Sequence, residues 1–222
     1  MSEVEDWLQD PLRKIESGSY KRRELKSPVD DKQNDLWWSF HFATRLKLDG
    51  ADHFCRQALG ASSMAYDKGL PLLAHRQLEW YLGAFFFELV SAYDTLLQEL
   101  NIVYAYNSGV KPDDVRWINK KKNKFMENLP EKIFDSLEKG REEGWFHKIQ
   151  GYRNMATHQY LVPISEISPG DDSPDSSHHT FIHYRDKEGN FKSEDISECR
   201  IYLKKMVRYI SSVWGIMAQE FQ

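Results

Sequence analysis

Between Leu72 and Asn101, residues Leu78, Tyr81, Leu82, Phe85, Phe86, Leu89, Tyr93, Leu96, Leu97 and Leu100 recur at i, i+3, i+4, i+7 spacing. A stripe this wide cannot be covered by one neighbour, so the pattern predicts a long central helix with several others packed around it. The chain has 222 residues, enough to bury a sizeable core in one domain. Its 12 Phe, 11 Tyr and 7 Trp supply the bulky groups that fill such a core.

The remaining periodicities place further elements around that helix. Residues 1 to about 35 form a polar arm broken by Pro11, Gly18 and Pro28, with a short helix expected around Glu5 to Glu16. The aromatic run Asp35 to Phe42 is expected to dock onto the body. Phe54, Ala58, Leu59, Ala61 and Ala65 predict a helix from Asp52 to Lys68, stopped by Gly69 and Pro71. Pro112 and the acidic residues after it open a helix over 113–128, and Pro130 opens another with Ile133, Phe134 and Leu137 inward. Gly140 and Gly144 bracket a break, after which Trp145 to Leu161 reads as helix. Ser165 to Ser177, rich in Ser, Asp, Pro and Gly, reads as a mobile loop. Thr180–Tyr184 and Phe191–Lys192, around a turn containing Gly189, predict a β-hairpin. A last helix starts at Asp195 or Ser197. The expected fold is an all-α helical bundle over 36–222 with a long central helix. Its one insertion is a loop and small β-hairpin at about 164–194, before the C-terminal helix.

Charge and cysteine usage restrict the function classes. A net charge of −4 lacks the basic surplus of a protein that grips duplex nucleic acid along many phosphates, so any nucleic-acid contact is expected to be local. Two cysteines, Cys55 and Cys199, are too few for a disulfide framework and point to a reducing compartment. The acidic start at Met1–Trp7 lacks the basic and apolar regions of a signal peptide, and no apolar run approaches a membrane span. The expectation is a cytoplasmic protein with no membrane partner.

The segment most suggestive of chemistry is Gly151-Tyr152-Arg153-Asn154-Met155-Ala156-Thr157-His158-Gln159-Tyr160. On about two turns of helix it offers a guanidinium to hold a phosphate, an amide to orient it and an imidazole to move a proton. Arg-x4-His alone is a common spacing, but Asn154 after the Arg and Tyr160 two after the His narrow the pattern. A second Arg/His pair, Arg141 and His147, has one more intervening residue, straddles Gly144 and sets Glu142 beside the guanidinium. The plain structural reading pairs Arg153 with a carboxylate and leaves His158 an ordinary helix residue.

This segment resembles the hallmark of the HEPN superfamily, small helical bundles whose motif is an Arg, a polar residue and a His after four to six residues. The resemblance covers about residues 50–162 and 195–222. It implies a homodimer in which two motif helices form one cleft, and metal-independent endoribonuclease chemistry in a bacterial defence, stress or toxin–antitoxin system. Arg153, Asn154 and His158 take the catalytic positions, with RNA as partner and no cofactor or metal. In a subset of HEPN toxins a Tyr two residues after the His is AMPylated by a partner nucleotidyltransferase that acts as antitoxin, and Tyr160 matches that position. A non-catalytic HEPN scaffold or RNA-binding module is the alternative.

The residue types suit the reaction. RNA is cut when its 2′-hydroxyl attacks the adjacent phosphorus, which needs a base of near-neutral pKa and a cation for the phosphorane. Residues five apart lie about 140° apart on a helix, so Arg153 and His158 do not share a face, whereas Asn154 and His158 do. Glu88 and Asp94, on the otherwise apolar central helix, are candidate supporting carboxylates. Lys120, Lys121, Lys122 and Lys124 are candidate RNA contacts, against the plainer reading of a solvated face. His179 and His183 would share one strand face, but no Cys or carboxylate cluster completes a metal set.

Overall fold

The computed structural model describes residues 31–67, 71–111, 115, 123–159, 161–167, 179–186 and 188–220. The expected helix at Glu5 to Glu16 lies outside them. The described chain is mostly helical and carries one small sheet. Its elements are α1 (Asp31–Asp67), α2 (Pro71–Tyr104), a 3₁₀ turn (Tyr106–Ser108), α3 (Lys124–Glu127), α4 (Glu131–Glu142), α5 (Trp145–Gln159), β1 (Ile164–Ile167), β2 (His179–Arg185), β3 (Phe191–Asp195) and α6 (Glu198–Glu220).

The backbone sorts into two compact units, and α1, α2 and α6 each contribute to both. The first takes the described parts of Met1–Asp49, Ser91–Glu143 and Lys205–Gln222; the second takes those of Gly50–Val90 and Gly144–Lys204.

In the first unit, Tyr93, Leu96, Leu97 and Leu100 of α2 are buried, as are Ile133 and Leu137 of α4 and Met206, Ile210 and Trp214 of α6. Gly140 does not break α4. A Cβ there would lie 2.1 Å from the Tyr209 ring, so glycine lets α6 pack against α4. The chain turns instead at Gly144, whose φ of 75° is a left-handed conformation that glycine adopts without steric cost.

The second unit holds α5 and the sheet. Ala51, Cys55, Ala58 and Ala61 of α1 present a narrow buried strip of small side chains. Leu78, Leu82, Phe85, Phe86 and Leu89 of α2 supply the bulk opposite the buried residues of α5 and α6. The sheet is antiparallel with order β1-β2-β3. Ile164 pairs with Ile182 on one side, and His183 with Ser193 on the other. The expected hairpin is present as β2 and β3, turned through Asp186, whose carboxylate accepts the Asn190 backbone N–H at 2.8 Å.

Three expectations need correction. The segment from Ser165 is not loop at its start, because Ser165 to Ile167 belong to β1 and pair with β2. The aromatic run at 35–42 is part of α1, which starts at Asp31 and not at Asp52. A single glycine costs a helix only about 1 kcal/mol, so Gly50 does not stop it; a Cβ at that position would meet Glu88 Cγ at 3.3 Å. Leu161 lies beyond α5, which ends at Gln159. Of the helix expected over 113–128, Lys124–Glu127 is helical, with Asn123 Oδ1 accepting the Met126 N–H at 2.9 Å; 113–114 and 116–122 lie outside the described residues.

Candidate functional site

The Arg–His segment lies on α5, whose buried residues Trp145, Phe146, Ile149, Tyr152 and Met155 follow the helical period. Two contacts one turn apart bind this helix to α2. The Tyr152 ring stacks on Phe86 with centroids 4.3 Å apart and planes 14° apart. Further along, a Cβ on Gly83 would lie 3.5 Å from Ala156 Cβ, so the missing side chain at Gly83 allows close approach. Arg153, Asn154 and Met155 lie between these two points.

A carboxylate fixes the other flank of α5. Glu194 of β3 accepts hydrogen bonds from Lys148 Nζ, from Tyr202 Oη of α6 and from Tyr152 Oη, the last at 3.2 Å. The Lys148 ammonium also lies over the Tyr184 ring, 5.4 Å from its centroid. Burial, and after it the Glu194 charge, pushes the Tyr152 phenol well above its ordinary pKa. Burial and the Glu194 hydrogen bond do the same to Tyr202. Both phenols therefore stay protonated and act as donors. Burial alone would lower the Lys148 pKa, but its hydrogen bond to Glu194 and the carboxylate charge turn the net shift upward. The cluster joins α5, β3 and α6 through one carboxylate.

Arg153, the next residue after Tyr152 in the chain, is half-buried. Its Nε is buried and makes no hydrogen bond, and the guanidinium forms no ion pair among the described residues. The plain structural reading, a guanidinium neutralised by a carboxylate, is therefore not what these residues display. The Arg153 carbonyl accepts a hydrogen bond from Thr157 Oγ1 at 2.8 Å. Asn154 is exposed. His158 lies in α5, one turn after Asn154; its side chain and all of Tyr160 fall outside the described residues.

The other candidates are dispersed. Glu88 is half-buried on α2 in the second unit, packed against Gly50. Asp94 is exposed and belongs to the first unit, as does Lys124, exposed at the start of α3. Lys120, Lys121 and Lys122 lie outside the described residues. Arg141, of the rival Arg/His pair, is buried in the first unit and directs Nη1 toward Tyr93 Oη at 3.4 Å. His179 and His183 do share the outer sheet face. His179 Nδ1 is 3.3 Å from Asp195 Oδ2, and the two ring nitrogens of His183 bond Ser193 and Ser165 at 2.8 and 2.9 Å. Among the described residues no group of three or more His, Cys, Asp or Glu is placed to hold a metal ion.

Sequence reasoning missed the two polar centres of the structure. One is Glu194, which lies just past the expected end of the hairpin. Strand alternation puts it opposite Ile182 and on the buried side, and that was its available signal. The other is in the first unit. Glu99, fully buried on α2, binds His41 Nδ1 at 2.9 Å and accepts the Trp214 indole N–H at 3.0 Å. Its signal was a carboxylate three residues after Leu96, on the buried stripe.

No family model, curated protein or solved structure matches this chain. Among the described residues no helix is long and apolar enough to cross a membrane.

Proposed function

We propose that this protein is a HEPN-like, metal-independent endoribonuclease in which Arg153, Asn154 and His158 of α5 form the reacting group. The observation that carries the reading is the state of Arg153. Arg153 is half-buried, its Nε is buried and makes no hydrogen bond, and it forms no ion pair with a carboxylate of the described residues. Leaving a buried donor unsatisfied costs about 1–3 kcal/mol, a cost that a scaffold arginine normally avoids by pairing. A phosphate diester supplies the anionic oxygens that such a fork binds in bidentate fashion. The clamp of Glu194 on Tyr152 and the Phe86 stack hold the helix backbone on which that fork is mounted.

In the proposed reaction His158 takes the proton of the ribose 2′-hydroxyl, and the 2′-oxygen forms a bond to the adjacent phosphorus. The bond from phosphorus to the 5′-oxygen breaks, and the leaving oxygen takes up a proton from water. Arg153 stabilises the charge that builds on the non-bridging oxygens, and Asn154, one turn before His158, positions the imidazole or a phosphate oxygen. Because Arg153 and His158 lie about 140° apart around the helix, two copies of α5 facing each other complete the cleft.

The test is incubation of the purified protein with RNA in EDTA, with analysis of product ends. Products ending in 2′,3′-cyclic phosphate and 5′-hydroxyl are expected. Intact RNA, or products with 3′-hydroxyl ends, would count against the reading.

A further inference from the structure

An antiparallel sheet that packs one face on a core turns polar side chains outward on the other. This sheet turns two phenylalanines outward. Ile182 and Tyr184 of β2 are buried, so alternation puts Phe181, His183 and Arg185 on the outer face. Register sets Phe191 of β3 opposite Arg185, Ser193 opposite His183 and Asp195 opposite Phe181. Phe191 is 63% exposed, and the Arg185 guanidinium carbon lies 4.3 Å from its ring centroid. Arg185 is itself exposed and forms no ion pair among the described residues. Asp195, the carboxylate on this face, accepts the Ser197 N–H at 2.8 Å and lies 3.3 Å from His179 Nδ1. The His183 ring is fixed through both nitrogens, by Ser193 and Ser165.

We infer that this outer face binds single-stranded RNA, with bases stacked on Phe181, His183 and Phe191 and a phosphate held by Arg185. Charge favours that occupant. The one carboxylate opposite Phe181 is already engaged, whereas the guanidinium keeps its fork of donors for an anion. Spacing favours a single strand over a duplex. Phe181, His183 and the Arg185–Phe191 pair follow one another at two-residue steps, roughly 7 Å along the strands. That is about twice the ~3.4 Å between stacked bases of a duplex, so bases settling on the three stations are unstacked from one another. Aromatic rings and guanidinium planes are the surfaces that take such bases, whatever their sequence. One end of the platform lies at the motif helix. A Cβ on Gly151 of α5, two residues before Arg153, would lie 3.7 Å from the Arg185 carbonyl oxygen. The choice of RNA as ligand rests on the chemistry proposed for α5, but binding to the sheet is measured without turnover.

The experiment is fluorescence anisotropy of the full chain with a labelled single-stranded RNA whose 2′-hydroxyls are methylated, so that no 2′-oxygen can attack. The wild-type protein is expected to bind it more tightly than the matching duplex. Phe191→Ala should weaken binding about 5- to 150-fold, the range for one base stacked on one ring, with unchanged circular dichroism. Phe191→Trp should restore binding and Phe191→Leu should not. Arg185→Ala should also weaken binding and reduce the slope of log affinity against log salt by about 0.7, as one lost phosphate contact does. A wild-type protein that does not bind the single strand overturns the inference. So does a duplex bound as tightly, or wild-type affinity in Phe191→Ala or Phe191→Leu. Cleavage of unmodified RNA with unchanged binding in these variants would sink the platform and leave the α5 chemistry standing; the reverse pattern would do the opposite.

Discussion

Phe86 of α2 and Tyr152 of α5 stack almost face to face, 4.3 Å between ring centroids, in the residue immediately before Arg153. The same tyrosine donates its hydroxyl to Glu194. One side chain thus joins the apolar core to the polar clamp at the point where the candidate motif begins, and its two interactions separate by mutation. Tyr152→Phe keeps the stack and loses the hydrogen bond, and should cost about 1 kcal/mol. Tyr152→Ala loses both and should cost about 3–5 kcal/mol. Urea denaturation reads the difference; equal costs would mean that the stack contributes nothing.

Glu194 makes the clamp sensitive to alkali. Lys148 has a folded-state pKa raised above its ordinary value. A raised cation stabilises the fold fully below the unfolded pKa of about 10.4 and loses that contribution as pH rises through the folded value. Stability should therefore be level in this respect near neutrality and fall above about pH 10.4. In Glu194→Gln the Lys148 part of that fall should shrink. An identical alkaline profile in the variant would separate Lys148 from Glu194 energetically.

Two glycines in helices give opposite expectations. Gly140→Ala forces a methyl into the Tyr209 ring, whose Cε2 would lie 2.1 Å away, and should destabilise by about 1–3 kcal/mol or more. Gly60→Ala meets nothing within 4 Å and should stabilise α1 by about 0.4–1 kcal/mol. Thermal midpoints moving in the same direction for both would contradict the packing described at Gly140.

The buried His41–Glu99–Trp214 centre predicts a cost confined to the first unit. Glu99→Ala removes the acceptor of two buried donors and should cost about 3–5 kcal/mol, as breaking a buried hydrogen-bonded carboxylate does. Hydrogen exchange should show the loss first at buried amides around Trp37, Leu96 and Trp214. Protection unchanged there would mean that the carboxylate is not anchored by the two rings.

These centres also explain what the sequence made legible. The stripe on α2 was readable because nearly every buried position in it is a large apolar residue. In α1 the buried positions Trp37, His41, Thr44, Leu48, Ala51, Cys55 and Ala58 keep the same helical period, but His41 and Thr44 read as polar. Their partners, Glu99 and Thr95, are more than fifty residues away, so the first half of α1 looked like a docking segment. Strand β1 was hidden for a related reason. Four residues carry little alternation, and what makes them a strand is pairing with β2 across the intervening chain. The motif helix was visible from its own periodicity. Its anchoring by Gly83, Phe86 and Glu194 was not, because those contacts are long-range.

Single-turnover rates in EDTA test the proposed role of Arg153 and His158 in metal-independent RNA cleavage. The wild-type protein should cleave. His158→Ala should be slower by about 10²–10⁴-fold, the usual contribution of a positioned acid or base, with RNA affinity nearly unchanged. Arg153→Ala should lose both rate and affinity. Wild-type cleavage that persists at an equal rate in both variants would contradict the account.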